Sequence, residues 1–232
     1  MLDVFVDHIA TGNLDLNEVK VRVTFGSAQI DVFPAGLLDI NYLAKLGRLD
    51  FASNEPDGTN PVEAALRAFL RQIKDKYDVI LLDSRAGLHD LAGIALPALA
   101  HVDVLIFRGT TQGIQGLDLT LSRLGRERHI VLAETMLPAN DDEHMARRLG
   151  RSRESVYEMM CNYNYEQDDP PQLIDDNEPH NIVGIRRKEF LDNLDSIGDR
   201  VSEVLQDNDI QKFVARLNDT IELADTTPGD ES

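Results

Sequence analysis

The feature that most constrains this chain is a run of four apolar residues, Val79 to Leu82, that ends directly at Asp83. Continuous rather than alternating hydrophobicity suits a strand that is covered on both faces, as in a parallel sheet. The carboxyl ends of such strands are where open α/β sheets bind ligands. The run therefore predicts a buried strand with a functional carboxylate at its end, although Asp83 also suits the cap of a turn or of the next helix.

Further strands and helices alternate along the sequence. Val102–Phe107 and Ile130–Ala133 are apolar runs that predict buried strands, and leucines at helical spacing predict a helix over Gly116–Gly125 between them. Upstream, Asn60 can cap a helix in which Pro61 takes the first position. This alternation predicts an α/β fold, with a doubly wound, mostly parallel sheet and helices on both faces.

The remaining segments carry weaker signals. We expect strands at Leu2–Val6, Val19–Phe25, Gln29–Phe33 and Asn181–Ile185, helices at Asp141–Gly150, Ser152–Cys161, Ile197–Leu205 and Asp209–Leu223, and loops at Leu49–Asn60 and Glu166–Pro179. The segment from Ala86 to Ala100, rich in Gly and Ala, predicts a loop and a tightly packed helix. We expect one domain over residues 1–223 and a disordered acidic tail over 224–232.

Charge and composition exclude several classes of function. The chain has 41 acidic and 23 basic residues, a formal charge of −18, which disfavours non-specific binding to nucleic acid or to an anionic membrane. We expect no secretory signal, because residues Met1 to Gly12 include no positive n-region, and the sequence contains no uninterrupted apolar stretch of about 18 residues. Its single cysteine, Cys161, excludes an internal disulfide and fits a cytoplasmic location. The six histidines lack the spacing of a zinc site.

Two basic clusters stand out against this acidic background. One contains Arg147, Arg148, Arg151 and Arg153, and the other Arg186, Arg187 and Lys188. The simpler interpretation is a solvated helix face or a partner surface, and the alternative is contact with phosphate or DNA.

The segment around Asp83 resembles a known family. Residues Tyr77–Gly87 read YDVILLDSRAG, which is similar to the Walker-B and switch region of the ParA/MinD class of P-loop ATPases, and especially to the subgroup whose phosphate loop reads KGGVGR. The resemblance covers roughly residues 29 to 195 in the family's order. It continues through Ile30–Gly36, Ala98–Ile106 and Thr110–Gly116, and loosely through Pro179–Ile182.

This resemblance implies a nucleotide site that contains ATP and Mg²⁺. Asp83 would be the catalytic acid that orients the metal, and Arg85 and Gly87 would sense the γ-phosphate. Thr110, Thr111 and Gln112 would belong to a loop, Thr110–Gly116, beside the nucleotide. Such ATPases dimerise when nucleotide binds, so the resemblance also implies a homodimer or another protein partner.

The sequence departs from the family at two places. It contains neither GxxxxGK[ST] nor KGGVGR, the Gly-rich loop with a Lys that cradles the phosphates. Ala133-Glu134-Thr135 also replaces the family's "NR" pair at the base-binding strand. Three interpretations stay open: a truncated product, a split ATPase completed by a Walker A-bearing second polypeptide, or a degenerate non-catalytic protein-interaction module. ATP hydrolysis would require a Walker A segment from elsewhere.

Overall fold

A computed structural model describes residues 11, 20–25, 28–34, 40, 41, 44, 60–83, 99–126, 128–139, 142–189 and 200–226. The chain divides into two compact units, Met1–Ala95 and Leu96–Ser232. The strand predicted at Leu2–Val6 and most of the segment from Ala86 to Ala100 lie outside the described residues. The prediction of one domain over residues 1–223 stays a prediction.

The first unit contains a two-stranded antiparallel sheet. Strand β1 (Val21–Phe25) pairs with β2 (Ala28–Val32) so that Val21 lies opposite Val32 and Val23 opposite Ile30. Both strands were predicted, within one or two residues of these bounds. β-Branched residues on this face favour the extended backbone.

Asp31 ties this sheet to the chain beyond it. Its carboxylate accepts hydrogen bonds from Arg22 Nε at 2.7 Å and from the Tyr77 hydroxyl at 2.7 Å. Phe33 packs edge-on against Phe69, with ring centroids 5.2 Å apart. The sheet is therefore stabilised by the ion pairs of Asp31 with Arg22 and Lys20, by the hydrogen bond from Tyr77, and by aromatic contacts.

Helix α1 (Pro61–Ile73) has the start that the sequence predicts. The Asn60 side chain accepts hydrogen bonds from the backbone N–H groups of Val62 at 2.9 Å and Glu63 at 3.1 Å. Val62, Ala65, Phe69 and Ile73 are its buried residues. A short 3₁₀ helix, Lys74–Lys76, continues it.

The predicted strand at Val79–Leu82 is wrong. The segment has no helix or strand assignment, and Val79 and Leu81 are 56% and 81% exposed. An apolar run becomes a buried strand only where another strand pairs with its backbone. Among the described residues of this unit, β1 and β2 are the only strands, and they pair with each other. Asp83 is exposed at the end of this unpaired segment.

The second unit contains a parallel sheet of three strands. These are β3 (Val102–Phe107), β4 (His129–Leu137) and β5 (Val183–Arg186), with β4 in the centre. Ile130, Val131, Leu132 and Ala133 are all at most 2% exposed, so β4 is buried on both faces. The predicted strands at Val102–Phe107 and Ile130–Ala133 are confirmed, and so is the α/β class.

The first connection in this sheet is helix α2 (Thr111–Leu124). It begins five residues before the predicted start at Gly116. Leu117, Leu121 and Leu124 are its buried residues, and Ile114 packs against the same core. The helix therefore includes most of the segment that the resemblance assigns to a loop.

The second connection is one helix, α3 (Asp142–Tyr163), where the sequence predicts two. Ser152, the first residue of the second predicted helix, is buried inside α3, at 6% exposure. Gly150 costs a helix about 1 kcal/mol relative to Ala. The buried stripe Ser152, Val156 and Met160 continues across that point, and its packing offsets this cost.

The last described residues of the chain are helical. Helices α4 (Val201–Gln206) and α5 (Asn208–Thr226) follow β5, and α5 contacts β4 and β5. Because α5 extends through Thr226, the first three residues of the predicted disordered tail are helical. In the described part of the chain, none of the helices combines the length and apolar character needed to cross a bilayer.

Candidate functional site at the carboxyl edge of the parallel sheet

The turn between β3 and α2 lies at the edge where parallel sheets bind ligands. Thr110 caps α2, because its hydroxyl oxygen accepts a hydrogen bond from the Gly113 N–H at 3.1 Å. Its own N–H donates to the Arg108 carbonyl at 2.7 Å. Thr110, Thr111 and Gln112 are all exposed. The structure thus corrects the predicted loop: these residues form the exposed start of a helix.

The first turn of α2 is tightly built. A Cβ atom on Gly113 would lie 2.0 Å from the Arg108 carbonyl oxygen, so only glycine fits there. The first backbone N–H groups of a helix have no partners within the helix, and they form the positive end of its dipole. An exposed helix start of this kind favours an anion such as phosphate.

A buried carboxylate lies directly beside this turn. Glu134 on β4 is fully buried, and its Oε1 accepts a hydrogen bond from Arg148 Nε of α3 at 2.6 Å. A Cβ atom on Gly109 would lie 2.1 Å from the same oxygen. Glu134 Oε2 has no hydrogen-bond partner among the described residues. Glu134 therefore fixes Arg148 next to the β3–α2 turn.

Arg148 has hydrogen-bond donors that Glu134 does not occupy. Its side chain is 27% exposed, and its only ion pair with a described residue is the one to Glu134. The two terminal Nη groups make no hydrogen bond to any described residue. A guanidinium whose two Nη groups have no partner among the described residues is suited to bidentate binding of carboxylate or phosphate.

Strand β4 is irregular just after Glu134. The β4–β5 register shifts between Glu134 and Leu137, and Met136 has a φ of 59°, in the left-handed region. The Thr135 hydroxyl donates to the Phe107 carbonyl at 3.3 Å and so joins the ends of β4 and β3. Bulges of this kind are frequent next to binding sites, where they change the direction of a side chain.

The other predicted site residues are not brought to this edge by any described contact. Asp83 belongs to the first unit, and Arg85 and Gly87 lie outside the described residues. Among the residues that the structure describes, no three His, Cys, Asp or Glu side chains are grouped to hold a metal ion. Asp83 therefore belongs to no described group of three such side chains.

The two basic clusters are largely neutralised within the chain. Arg153 pairs with Asp176, Arg186 with Asp142 and Asp209, and Lys188 with Asp207 and Asp209. Arg147 makes only a distant contact of 3.8 Å with Glu143. Arg153, Arg186 and Lys188 therefore hold the fold together, and Arg148 lies beside the β3–α2 turn.

The predicted site did not include Glu134, although this residue follows an apolar run just as Asp83 does. The pattern that singled out Asp83 was four apolar residues followed by an acid, and Ile130–Ala133 followed by Glu134 has the same pattern. Of these two carboxylates, Glu134 is the one that lies in a buried parallel strand.

Comparison with known proteins identifies no relative. The chain matches no protein-family model, no curated protein and no solved structure.

Proposed function

We propose that this chain binds a nucleotide, as part of a ParA/MinD-like ATPase domain that contains the Walker-B and switch portion and takes its Walker A segment from elsewhere. The observation that carries the proposal is the group formed by Arg148, Glu134 and the capped start of α2. It combines a cation with free donors and a helix N-terminus at the carboxyl edge of a parallel sheet.

The proposed fold is a doubly wound, P-loop NTPase-like sheet with helices on both faces. Packing in the second unit supports it. Ile130 and Leu132 share a core with buried residues of α2 and α3, while α5 contacts β4 and the intervening residues Val131 and Ala133 are buried as well. Consecutive crossovers through α2 and α3 are the connections that a parallel sheet requires.

The phosphates and the metal ion each have proposed partners. The phosphates are bound by the exposed N–H groups at the start of α2, by Thr110–Gln112 and by the Nη groups of Arg148. Bound Mg²⁺ would screen the phosphate charge, and Asp83 is the proposed ligand for it by resemblance alone. Arg85 and Gly87 remain, on the same ground, the proposed sensors of the γ-phosphate.

Isothermal titration of the full chain with Mg²⁺-ATP, and with ATP in EDTA, tests this proposal. We expect binding in both conditions, tighter with Mg²⁺. Asp83→Ala should remove the advantage of Mg²⁺ and leave metal-free binding unchanged. Arg148→Lys, which keeps a cation beside Glu134 but removes the guanidinium fork, should weaken both about tenfold, equivalent to about 1.4 kcal/mol.

Arg147→Lys is the matched control, because Arg147 is one residue away and its side chain is 64% exposed. It should leave both affinities unchanged. If neither form of ATP binds at about 1 mM, which corresponds to only about 4 kcal/mol of binding free energy, the nucleotide proposal is wrong.

A second candidate is a non-catalytic protein-interaction module, and the exposed apolar segment Val79–Leu82 favours it. Leu81 is 81% exposed, and apolar side chains clustered at a surface commonly mark interaction sites. If the partner is a second copy of this chain, sedimentation should show a concentration-dependent dimer that Leu81→Asp abolishes. Ile174→Asp is the matched control, since Ile174 is 78% exposed elsewhere. A chain that is monomeric at every concentration contradicts the homodimer.

A further inference from the structure

The acidic segment between α3 and β5 is held in place by a buried histidine. His180 is fully buried, and its ring nitrogens contact Tyr165, just before the segment, and Leu173, in the middle of it. Nε2 lies 3.1 Å from the Leu173 carbonyl oxygen, and Nδ1 lies 2.7 Å from the Tyr165 hydroxyl. The segment itself, Glu166–Pro179, contains six acidic residues and three prolines and has no helix or strand.

The two contacts of the ring define its tautomer. A carbonyl oxygen only accepts hydrogen bonds, so Nε2 must carry the proton and donate to Leu173. Nδ1 is then unprotonated and accepts from the Tyr165 hydroxyl, which also receives the His180 backbone N–H at 3.4 Å. The Tyr165 hydroxyl can donate to Nδ1 only while the imidazole is neutral, whereas Nε2 can donate to the Leu173 carbonyl in either protonation state. A proton on Nδ1 would face the hydroxyl that now donates to it, and that hydroxyl would have to turn away.

Aromatic and charged side chains from α3, from α5 and from the segment itself surround His180. From α3, Tyr157 packs edge-on against the imidazole with centroids 5.0 Å apart, and Arg153 reaches the same segment. Within the segment lie Asp175 and Glu178, and Arg216 of α5 donates to the Glu178 carbonyl at 2.6 Å. Burial lowers the pKa of His180, Arg153 lowers it further, and the Leu173 carbonyl and Asp175 oppose the change.

We propose that His180 is a pH-sensitive latch that keeps the acidic segment against α3 and α5 while its ring is neutral and releases the segment on protonation. Side chains of α3 and α5 also hold the segment. Arg153 binds the Asp175 carbonyl at 3.0 Å, Arg216 binds the Glu178 carbonyl, and the Tyr157 hydroxyl donates to the Pro171 carbonyl at 3.0 Å. None of these contacts involves a group that titrates near neutrality, so His180 sets the pH of release.

The direction of the effect follows from linkage. A histidine whose pKa is lower in the folded state binds more protons once it is released. The latch is therefore at full strength above the free histidine pKa of about 6.5 and weakens as the pH falls below it. At pH 5.5, one unit lower, the loss reaches at most about tenfold in the ratio of closed to open segment.

Hydrogen exchange on the full chain at pH 7.5 and pH 5.5, corrected for intrinsic exchange rates, measures this release. We expect protection of amides in residues 173–181 to fall up to about tenfold in the wild type, while residues 152–160 of α3 keep theirs. In His180→Gln, whose amide can donate to the Leu173 carbonyl but does not titrate, protection should not depend on pH. His101→Gln, which changes an exposed histidine, should behave as the wild type.

Two further measurements keep the test decisive. The imidazole resonances of His180 should titrate together with the loss of protection, and titration without that loss overturns the latch. Glu178 must also be separated from His180, because burial and Asp175 raise the pKa of its carboxyl group. If Glu178→Gln abolishes the pH dependence and His180→Gln does not, the switch is the carboxyl group and the proposal is wrong.

Discussion

Asp209 of α5 binds Arg186 of β5 twice. Its Oδ2 accepts the Arg186 backbone N–H at 3.1 Å, and its Oδ1 accepts Nη1 at 2.8 Å. Lys188 Nζ lies 2.9 Å from Oδ2, and Asp209 is 2% exposed. One buried carboxylate thus attaches the C-terminal helix to the last strand of the sheet.

Removing that charge should destabilise the second unit. Asp209→Asn leaves two cations without their shared buried anion, and its amide nitrogen cannot accept a hydrogen bond. Breaking one side of a buried ion pair costs about 3 kcal/mol, so the urea midpoint followed by circular dichroism should fall clearly. Glu143→Gln is the control, since its pair with Arg147 spans 3.8 Å between exposed side chains and contributes under about 0.5 kcal/mol. Equal losses in both variants would contradict the role of Asp209.

Substitution by alanine should lower the free energy of unfolding at Gly109 and raise it at Gly116. At Gly109 a new Cβ would lie 2.1 Å from Glu134 Oε1, a carboxylate that is buried and bound to Arg148. Gly109→Ala should therefore cost about 1–3 kcal/mol. At Gly116, inside α2, a Cβ would meet no atom within 4 Å, so Gly116→Ala should stabilise the helix by about 0.5–1 kcal/mol. Urea unfolding of both variants measures the difference, and a stabilising Gly109→Ala would refute the packing at the candidate site.

The sequence predicted the positions of helices and strands better than their pairing and burial. Apolar runs identified β3 and the buried first part of β4, and Asn60-Pro61 located the start of α1, because these signals depend on neighbours in the chain. The same reasoning failed at Val79–Leu82, since burial of a strand depends on a partner that a local pattern cannot reveal. It also ended one helix at Gly150, where long-range packing of Val156 and Met160 continues α3.

The candidate site was predicted only in part. Thr110 was predicted as a site residue only through the family resemblance, and the structure describes it as the cap of α2. The Glu134–Arg148 pair joins residues 14 positions apart, and Gly109 contacts Glu134 across two strands. The proximity of Gly109 to Glu134 follows from the register of β3 against β4, which pairs Phe107 with Glu134 and is not encoded in either run alone.

Asn60 should contribute a measurable cap to α1. Its side-chain oxygen accepts hydrogen bonds from two otherwise unpaired N–H groups, and the residue is 7% exposed. Asn60→Ala should lower the free energy of unfolding by about 1 kcal/mol, whereas Asn60→Asp, which keeps an acceptor at the positive end of the helix, should lose little. Exchange rates of the α1 amides measure this locally. If both variants lose the same protection, the hydrogen bonds to Asn60 are not what holds the start of α1.

The sheet of the first unit should be sensitive to acid through Asp31. The hydrogen bonds from Arg22 and Tyr77 hold the pKa of this carboxyl group far below its usual range, with Lys20 adding a further contact at 3.2 Å. A carboxylate whose pKa is depressed by folding stabilises the fold above its unfolded pKa of about 3.9, and that stability is lost as the pH falls below it. Protection of the β1 and β2 amides should therefore decline between about pH 4 and pH 2 in the wild type.

In Asp31→Asn, the same amides should be less protected at neutral pH, and their protection should depend less on pH. Asp75→Asn, which changes an exposed carboxylate in the same unit, should keep the wild-type profile. A decline that persists unchanged in Asp31→Asn would assign the acid sensitivity to another group.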